Sequence, residues 1–324
     1  MGSLSTALQG RAATLGTGAV ATIATVVAAA VAPASQDRRH LDHIAYEASI
    51  GFVRDGRGLY EASMDGLLEI GASVDQARAV RQPWLLGFWS LLPEGWLQPA
   101  YFALVVLGST LLTLLLVRTK PVALLVWAWA ATAGVFYGVD AWLLFELWAV
   151  PFILGSALAW VSGRDWLAAA CCVVVCAIRE TAVLLPLGYL VAALVLGRSW
   201  KPWVAGLATS AVLLFGHWVL VADHLDPDGG SAPLLGTGSF QAIAWMTSFL
   251  VLPDLLGLVL WVVGLVLLWR SALRPTVLLV AIPFLGLVAN RPYWGFLAMP
   301  LCVASLGGLP PYETLVTTGD VDDG

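Results

Sequence analysis

The chain has 324 residues, 60 % of them hydrophobic and only 11 % charged, with a formal net charge of −5 and a mean hydropathy of +0.86. A soluble globular domain carries about a quarter charged residues, so this composition excludes one and indicates an all-α polytopic membrane protein. A transmembrane β-barrel is excluded because the apolar runs are unbroken over about twenty residues, where barrel strands alternate over about ten. With no Lys/Arg cluster, no nucleic-acid partner is expected.

From the N-terminus, the apolar run 12–34 is longer than the 7–15 residues of a signal-peptide core and reads as a retained first membrane helix. Residues 35–99 form the one long polar stretch and hold nine of the 21 acidic residues. A helix is predicted over Leu41–Arg54, with Leu41, Ile44, Ala45, Ala48 and Phe52 as an apolar stripe that lays it along the membrane surface. Asp42 and Tyr46 are neighbours one turn apart on an adjoining face. The chain then turns at Gly56-Arg-Gly58, passes Tyr60 and reaches Arg78 and Arg81. Arg81-Gln-Pro-Trp84 opens an apolar stretch to Pro93 that is too short to span and reads as interfacial or re-entrant. The plain reading of this loop is an amphipathic helix with solvated charges, packed over the bundle.

Residues 100–309 read as the transmembrane bundle. With the first helix they make about ten spans, near 100–117, 122–137, 147–161, 166–178, 182–196, 203–221, 252–269, 277–289 and 296–309. Residues 310–324, ending in Asp320-Val-Asp-Asp-Gly324, read as a cytoplasmic tail, and 1–324 as a single integral membrane domain. If the N-terminus is cytoplasmic, the short inner connections carry Arg11, Arg118, Lys120, Arg164, Arg198, Lys201, Arg270 and Arg274, against Arg179 and Arg291 outside. That positive-inside bias puts both termini in the cytoplasm and the 35–99 loop on the extracytoplasmic face of a cell membrane. Tryptophans near both sets of helix ends, Trp160, Trp166, Trp200, Trp203 and Trp269 inside and Trp142, Trp148, Trp218, Trp245 and Trp294 outside, fit an aromatic belt. The loop 223–238, rich in Asp, Gly and Pro, reads as a mobile connection or a lid. Cys171, Cys172, Cys176 and Cys302 lie in apolar runs and behave as small hydrophobes. No metal site and no cofactor are expected.

Charges within apolar sequence narrow the choice of chemistry. Arg179-Glu180 interrupts a run that is otherwise apolar from 166 to 196, at a cost of a few kcal/mol unless the pair is partnered or faces a watery cavity. By the parity of the spans it lies on the outer face with Asp42, Asp140, Glu146 and Arg291. For Arg179 the plain alternative is an interfacial side chain paired with Glu180, and for Arg291 an ordinary loop charge. Together these groups suit transfer from an anionic lipid carrier: arginines hold a phosphate near the headgroup level, and a carboxylate removes the proton of an attacking hydroxyl. Asp42 would be the base, and Arg179 and Arg291 the phosphate clamps. His40 and His43 flank Asp42 and can tune it, whereas His217 reads as a packed core residue and His224 as solvated.

In this order, Asp42-His-Ile-Ala-Tyr46, Gly58-Leu-Tyr60-Glu61, Arg81-Gln-Pro83, Ile178-Arg-Glu-Thr181 with Pro186, and Asn290-Arg-Pro-Tyr293 leading to Pro300, the chain resembles the glycosyltransferase C superfamily. It is most similar to the mannosyl- and arabinosyl-type members that act on polyprenyl-phosphate monosaccharides. The resemblance implies an inverting transferase that moves a sugar from a polyprenyl-phosphate donor to a glycan, lipid or protein acceptor hydroxyl, with membrane lipids around it. It assigns the base to Asp42 and donor-phosphate contacts to Arg179, Arg291 and Arg81. Tyr46, Glu180, His43 and Tyr293 are the supporting residues. Two departures stand out: Trp84 replaces a second proline after Arg81-Gln-Pro83, and His43 follows Asp42 where relatives often carry a second acid. The rival readings are a lipid or amphiphile transporter and a non-catalytic membrane subunit of a cell-envelope assembly.

Overall fold

The computed structural model describes residues 16, 19, 41–71, 82–116, 143, 145–222, 224, 254–281, 301, 304 and 305. All the regular elements among them are helical: α1 (Leu41–Arg54), α2 (Leu59–Glu69), α3 (Trp84–Leu91), α4 (Leu97–Leu116), α5 (Phe145–Val161), α6 (Asp165–Ile178), α7 (Leu184–Val195), α8 (Lys201–Ala222), α9 (Asp254–Arg270) and α10 (Val277–Ala281). Short 3₁₀ turns, Glu180–Val183 and Arg274–Thr276, lead into α7 and α10. The expected loop helix has the predicted limits, and α4 to α9 begin and end within three residues of the expected apolar runs. Expected spans over most of 12–34 and 296–309, all of 122–137 and the end of 277–289 lie outside the described residues, as do the 223–238 connection (His224 apart) and the tail.

Among the described residues one helix, α8, is long and apolar enough to cross a membrane. Its 22 residues rise about 33 Å, against a hydrocarbon core of about 30 Å. Val212, Phe215 and Trp218 form an exposed apolar ridge along it. The shorter helices are stopped by their own chemistry. α5 and α7 end in glycines with positive φ, Gly163 at 72° and Gly197 at 66°. The next residue closes each end: Arg164 N–H donates to Ala159 at 2.8 Å and Arg198 N–H to Ala193 at 2.8 Å. This six-to-one bond satisfies carbonyls that the helix leaves over.

Helix polarity follows from side-chain contacts. Tyr46 of α1 and Trp89 of α3 both meet Phe145 at the start of α5, with ring centroids 4.9 Å away. Met64 of α2 packs against Val221 at the end of α8. The α1–α3 layer therefore covers the end of the bundle where α5 and α7 begin and α6 and α8 finish. At the opposite end, Trp160 donates its indole N–H to the Ala272 carbonyl at 3.1 Å and packs in a buried group with Tyr189 and Trp203. Arg198 lies 3.9 Å over the Trp160 ring and pairs with Asp165 at 2.5 Å. Trp160, Trp203 and Trp148 are thus core residues, contrary to the belt expected of them. Trp166, Trp200, Trp218 and Trp269 are exposed. The reason is packing: the first three sit where neighbouring helices converge, so their rings fill the interior.

Small residues set the closest approaches. A Cβ on Gly206 would meet Ala169 Cβ at 3.5 Å, between α8 and α6. On Gly188 it would run into the Pro275 carbonyl, and on Gly66 into Ala45 and Ser49 across the α1–α2 hairpin. That hairpin corrects the expected stripe of α1. His43, Ala45, Ser49 and Ile50 are buried, while Ile44 is exposed. The face that packs is the one with small residues, because Gly66 draws the two backbones together there.

Gly188→Ala should cost about 1–3 kcal/mol through overpacking against a backbone carbonyl. Gly51→Ala has nothing within 4 Å of the added methyl and should stabilise by about 0.5–1 kcal/mol in mid-helix. Thermal denaturation of both purified variants in detergent checks the contrast.

Candidate functional site

Two charges in apolar helices meet beneath the α1–α3 layer. Glu146 lies in the first turn of α5, and Arg179 caps the C-terminus of α6 with extended backbone, φ −141° and ψ 114°. α5 and α6 are antiparallel, so the two ends share a level. Arg179 Nη2 lies 2.5 Å from Glu146 Oε1, with the side chains 0 % and 4 % exposed. The helix macrodipoles favour both, a carboxylate at an N-terminus and a guanidinium at a C-terminus. Each alone in such a place would be strongly disfavoured, so the pair depends on mutual contact.

The sequence reading put Arg179 at the interface and offered Glu180 as its plain partner. The structure buries Arg179 fully and supplies Glu146. The signal for Glu146 was present: a Glu opens α5 and Arg179 follows the end of α6, and antiparallel packing brings these outer ends level.

α1 reaches this pair through aromatic rings. Tyr46 packs edge-on to Trp89 at 6.0 Å and against Phe145, the residue before Glu146. Phe145, Trp89 and Trp148 form a continuous buried cluster. Asp42 lies in the first turn of α1, one turn before Tyr46; its side chain is outside the described residues, as are Arg81, Arg291 and Tyr293. His43, expected to tune Asp42, is 2 % exposed. Among the predicted site residues, the described structure brings Tyr46 and Arg179 to one end of α5. Glu180 opens the 3₁₀ turn beside Arg179.

An apolar cavity of about 480 Å³ adjoins this end. It lies between α3, α4, α5 and α6, with Trp84 and Phe88 at its head and Ile178, the residue before Arg179, in its wall. A second cavity of about 590 Å³ shares Leu107 and Phe152 with the first and continues to Ser162 and Arg164 at the opposite end. Among the described residues no group of three or more His, Cys, Asp or Glu could hold a metal ion.

α2 carries a second polar contact with the bundle. The Tyr60 hydroxyl lies 3.1 Å from His217 Nδ1, and the His224 ring stacks on the Tyr60 ring at 6.2 Å. His217 is buried as expected, but it serves as an anchor for α2. Partial burial raises the Tyr60 pKa above its ordinary value of 10.0. The folded state thus holds the phenol proton more tightly than the unfolded chain does. This contribution is complete below pH 10 and is lost as pH rises from there through the folded value.

No protein-family model matches the chain, and no curated protein or solved structure matches it.

Two outcomes test the site. Glu146→Ala removes the carboxylate from a buried guanidinium and should cost about 3–5 kcal/mol, while the double change Glu146→Leu with Arg179→Met should recover most of that loss; thermal denaturation of the three proteins measures it. Tyr60→Phe should flatten the fall in melting temperature above pH 10, and an unchanged alkaline slope would show that Tyr60 is not its source.

Proposed function

We propose that the chain is an integral membrane glycosyltransferase of about ten spans, with both termini cytoplasmic. It transfers a monosaccharide from a polyprenyl-phosphate donor to an acceptor hydroxyl at the extracytoplasmic face. The observation that carries this reading is the apolar groove whose wall ends at Ile178, next to the buried Glu146–Arg179 pair and beneath the helix that bears Asp42. An apolar tail with an anionic head fits such a site. The tail occupies the groove at a gain of about 0.8 kcal/mol per buried CH₂, and the phosphate lies at its head among arginine donors. A guanidinium carries five N–H donors in a planar fork and can serve a carboxylate and a phosphate together.

The reaction is an inverting displacement. Asp42 accepts the proton of the acceptor hydroxyl as its oxygen attacks the anomeric carbon. The bond from that carbon to the phosphate oxygen breaks, and the electron pair leaves with the polyprenyl phosphate. Arg179, with Arg81 and Arg291, offsets the charge that builds on the departing phosphate. Glu146 holds the Arg179 guanidinium in place, Tyr46 packs the α1 helix onto α5, and His43 and Glu180 support the same end, with Tyr293 the remaining supporting residue of the proposal.

One observation favours a second reading, transport of a lipid or amphiphile. The two cavities share Leu107 and Phe152 and together run from the α3 end of the bundle to Arg164 at the other. A path of that extent suits a head group that travels as well as one that reacts.

Asp42→Asn should abolish transfer of labelled sugar from a polyprenyl-phosphate donor while membrane insertion and donor binding persist; turnover by that variant would sink the role of Asp42. Arg179→Lys keeps the charge and loses the fork, and should raise the donor KM about tenfold. Lipid scrambling by wild type in vesicles without any sugar transfer would favour transport instead.

A further inference from the structure

We infer that Gln82 recognises the sugar of the donor: its carboxamide, buried at the head of α3 with neither end hydrogen-bonded, is held for the hydroxyls of the ring. The inference rests on the proposed transferase reading and identifies which part of the donor this residue contacts.

Gln82 is 0 % exposed, and both Oε1 and Nε2 are buried without a hydrogen-bond partner. A primary amide brings two donors and an acceptor. Leaving such groups unmet away from water costs about 1–3 kcal/mol each, which an apolar side chain of the same size would avoid. Packing alone therefore gives no reason for a glutamine here.

Its position supplies one. Leu85, Leu86 and Trp89 follow at helical spacing and are all buried. On the other side of α3, Trp84 and Phe88 form the head of the apolar groove. α3 thus stands between the space for an apolar tail and the layer where Tyr46 meets Trp89 and Phe145. Trp89, at the far end of the same buried face, also has its indole N–H buried without an acceptor.

The chemistry of the amide selects the ligand class. A phosphate only accepts hydrogen bonds, so it would satisfy Nε2 and leave Oε1 orphaned. An acyl or prenyl chain would satisfy neither. A hydroxyl both donates and accepts, and adjacent ring hydroxyls can engage the oxygen and the nitrogen of one carboxamide together. Because the amide is fully buried, the ring it holds is taken out of water, where each such bond discriminates more strongly between a sugar and its deoxy analogue.

The test uses the purified full chain in nanodiscs and two kinds of probe, decaprenyl phosphate alone and decaprenyl phosphate bearing mannose or arabinose. Gln82→Leu should bind the sugar-bearing probe about tenfold more weakly and the bare phosphate as wild type does. Its melting temperature should be unchanged or higher, because an unmet amide has been removed. Equal affinities of variant and wild type for both probes would mean the amide holds an internal water only, and would overturn the inference while the transferase reading stands. A parallel loss of both probes would mark a structural role and overturn it as well. Wild type that binds neither probe would overturn the transferase reading and the inference with it.

Discussion

The contact between Glu146 and Arg179 constrains the rest of the architecture. Two opposite charges can be buried at this depth only together and only at helix ends whose dipoles favour them. That requirement sets the relative height of α5 and α6, and it breaks the chain at Arg179 so that a 3₁₀ turn, rather than a continuous helix, leads into α7. It also gives the bundle a polar end and an apolar flank. The α1–α3 layer covers that end through Tyr46, Trp89 and Phe145, and the flank remains as the groove among α3 to α6.

The two ends of the bundle solve the same problem differently. At one, Glu146 and Arg179 neutralise each other out of contact with water. At the other, Arg198 keeps a partial contact with solvent, its side chain 16 % exposed, with its guanidinium over the Trp160 ring, its charge against Asp165 and hydrogen bonds to the Trp160 carbonyl at 3.3 and 3.4 Å. The second arrangement is an anchor distributed over several weak contacts. The first is a single strong dependence, and it stands where the proposed chemistry occurs.

Much of the helical framework was legible because apolar runs and the chain's own stops report directly on local structure. The limits of Leu41–Arg54 and the ends of α5 at Gly163 and α7 at Gly197 follow from residues adjacent in sequence. The face that α1 buries was not legible. An apolar stripe through Ile44 and Phe52 predicted one face, but contact with Gly66 selected another, since backbone approach depends on a residue some twenty positions away. For the same reason a local reading did not reach Glu146 as a partner of Arg179. Trp160 and Trp203 looked like belt residues, since their place at helix ends is written in the sequence while the convergence of α5, α7 and α8 around them is not. Gln82 attracted no attention because an uncharged amide beside Arg81 carries no signal until its burial is known.

The modest length of α5 and α6 has a mechanical consequence. With 17 and 14 residues they rise about 25 and 21 Å, several ångströms less than the hydrocarbon thickness of an ordinary bilayer, about 30 Å. Lipids that border this side of the protein in a membrane must thin or tilt to match it, at a fraction of a kcal/mol per ångström. In the proposed membrane setting the headgroup layer would then dip towards the level of Arg179. A lipid-borne phosphate would reach the guanidinium by lateral diffusion within its own leaflet, without first being lifted from it.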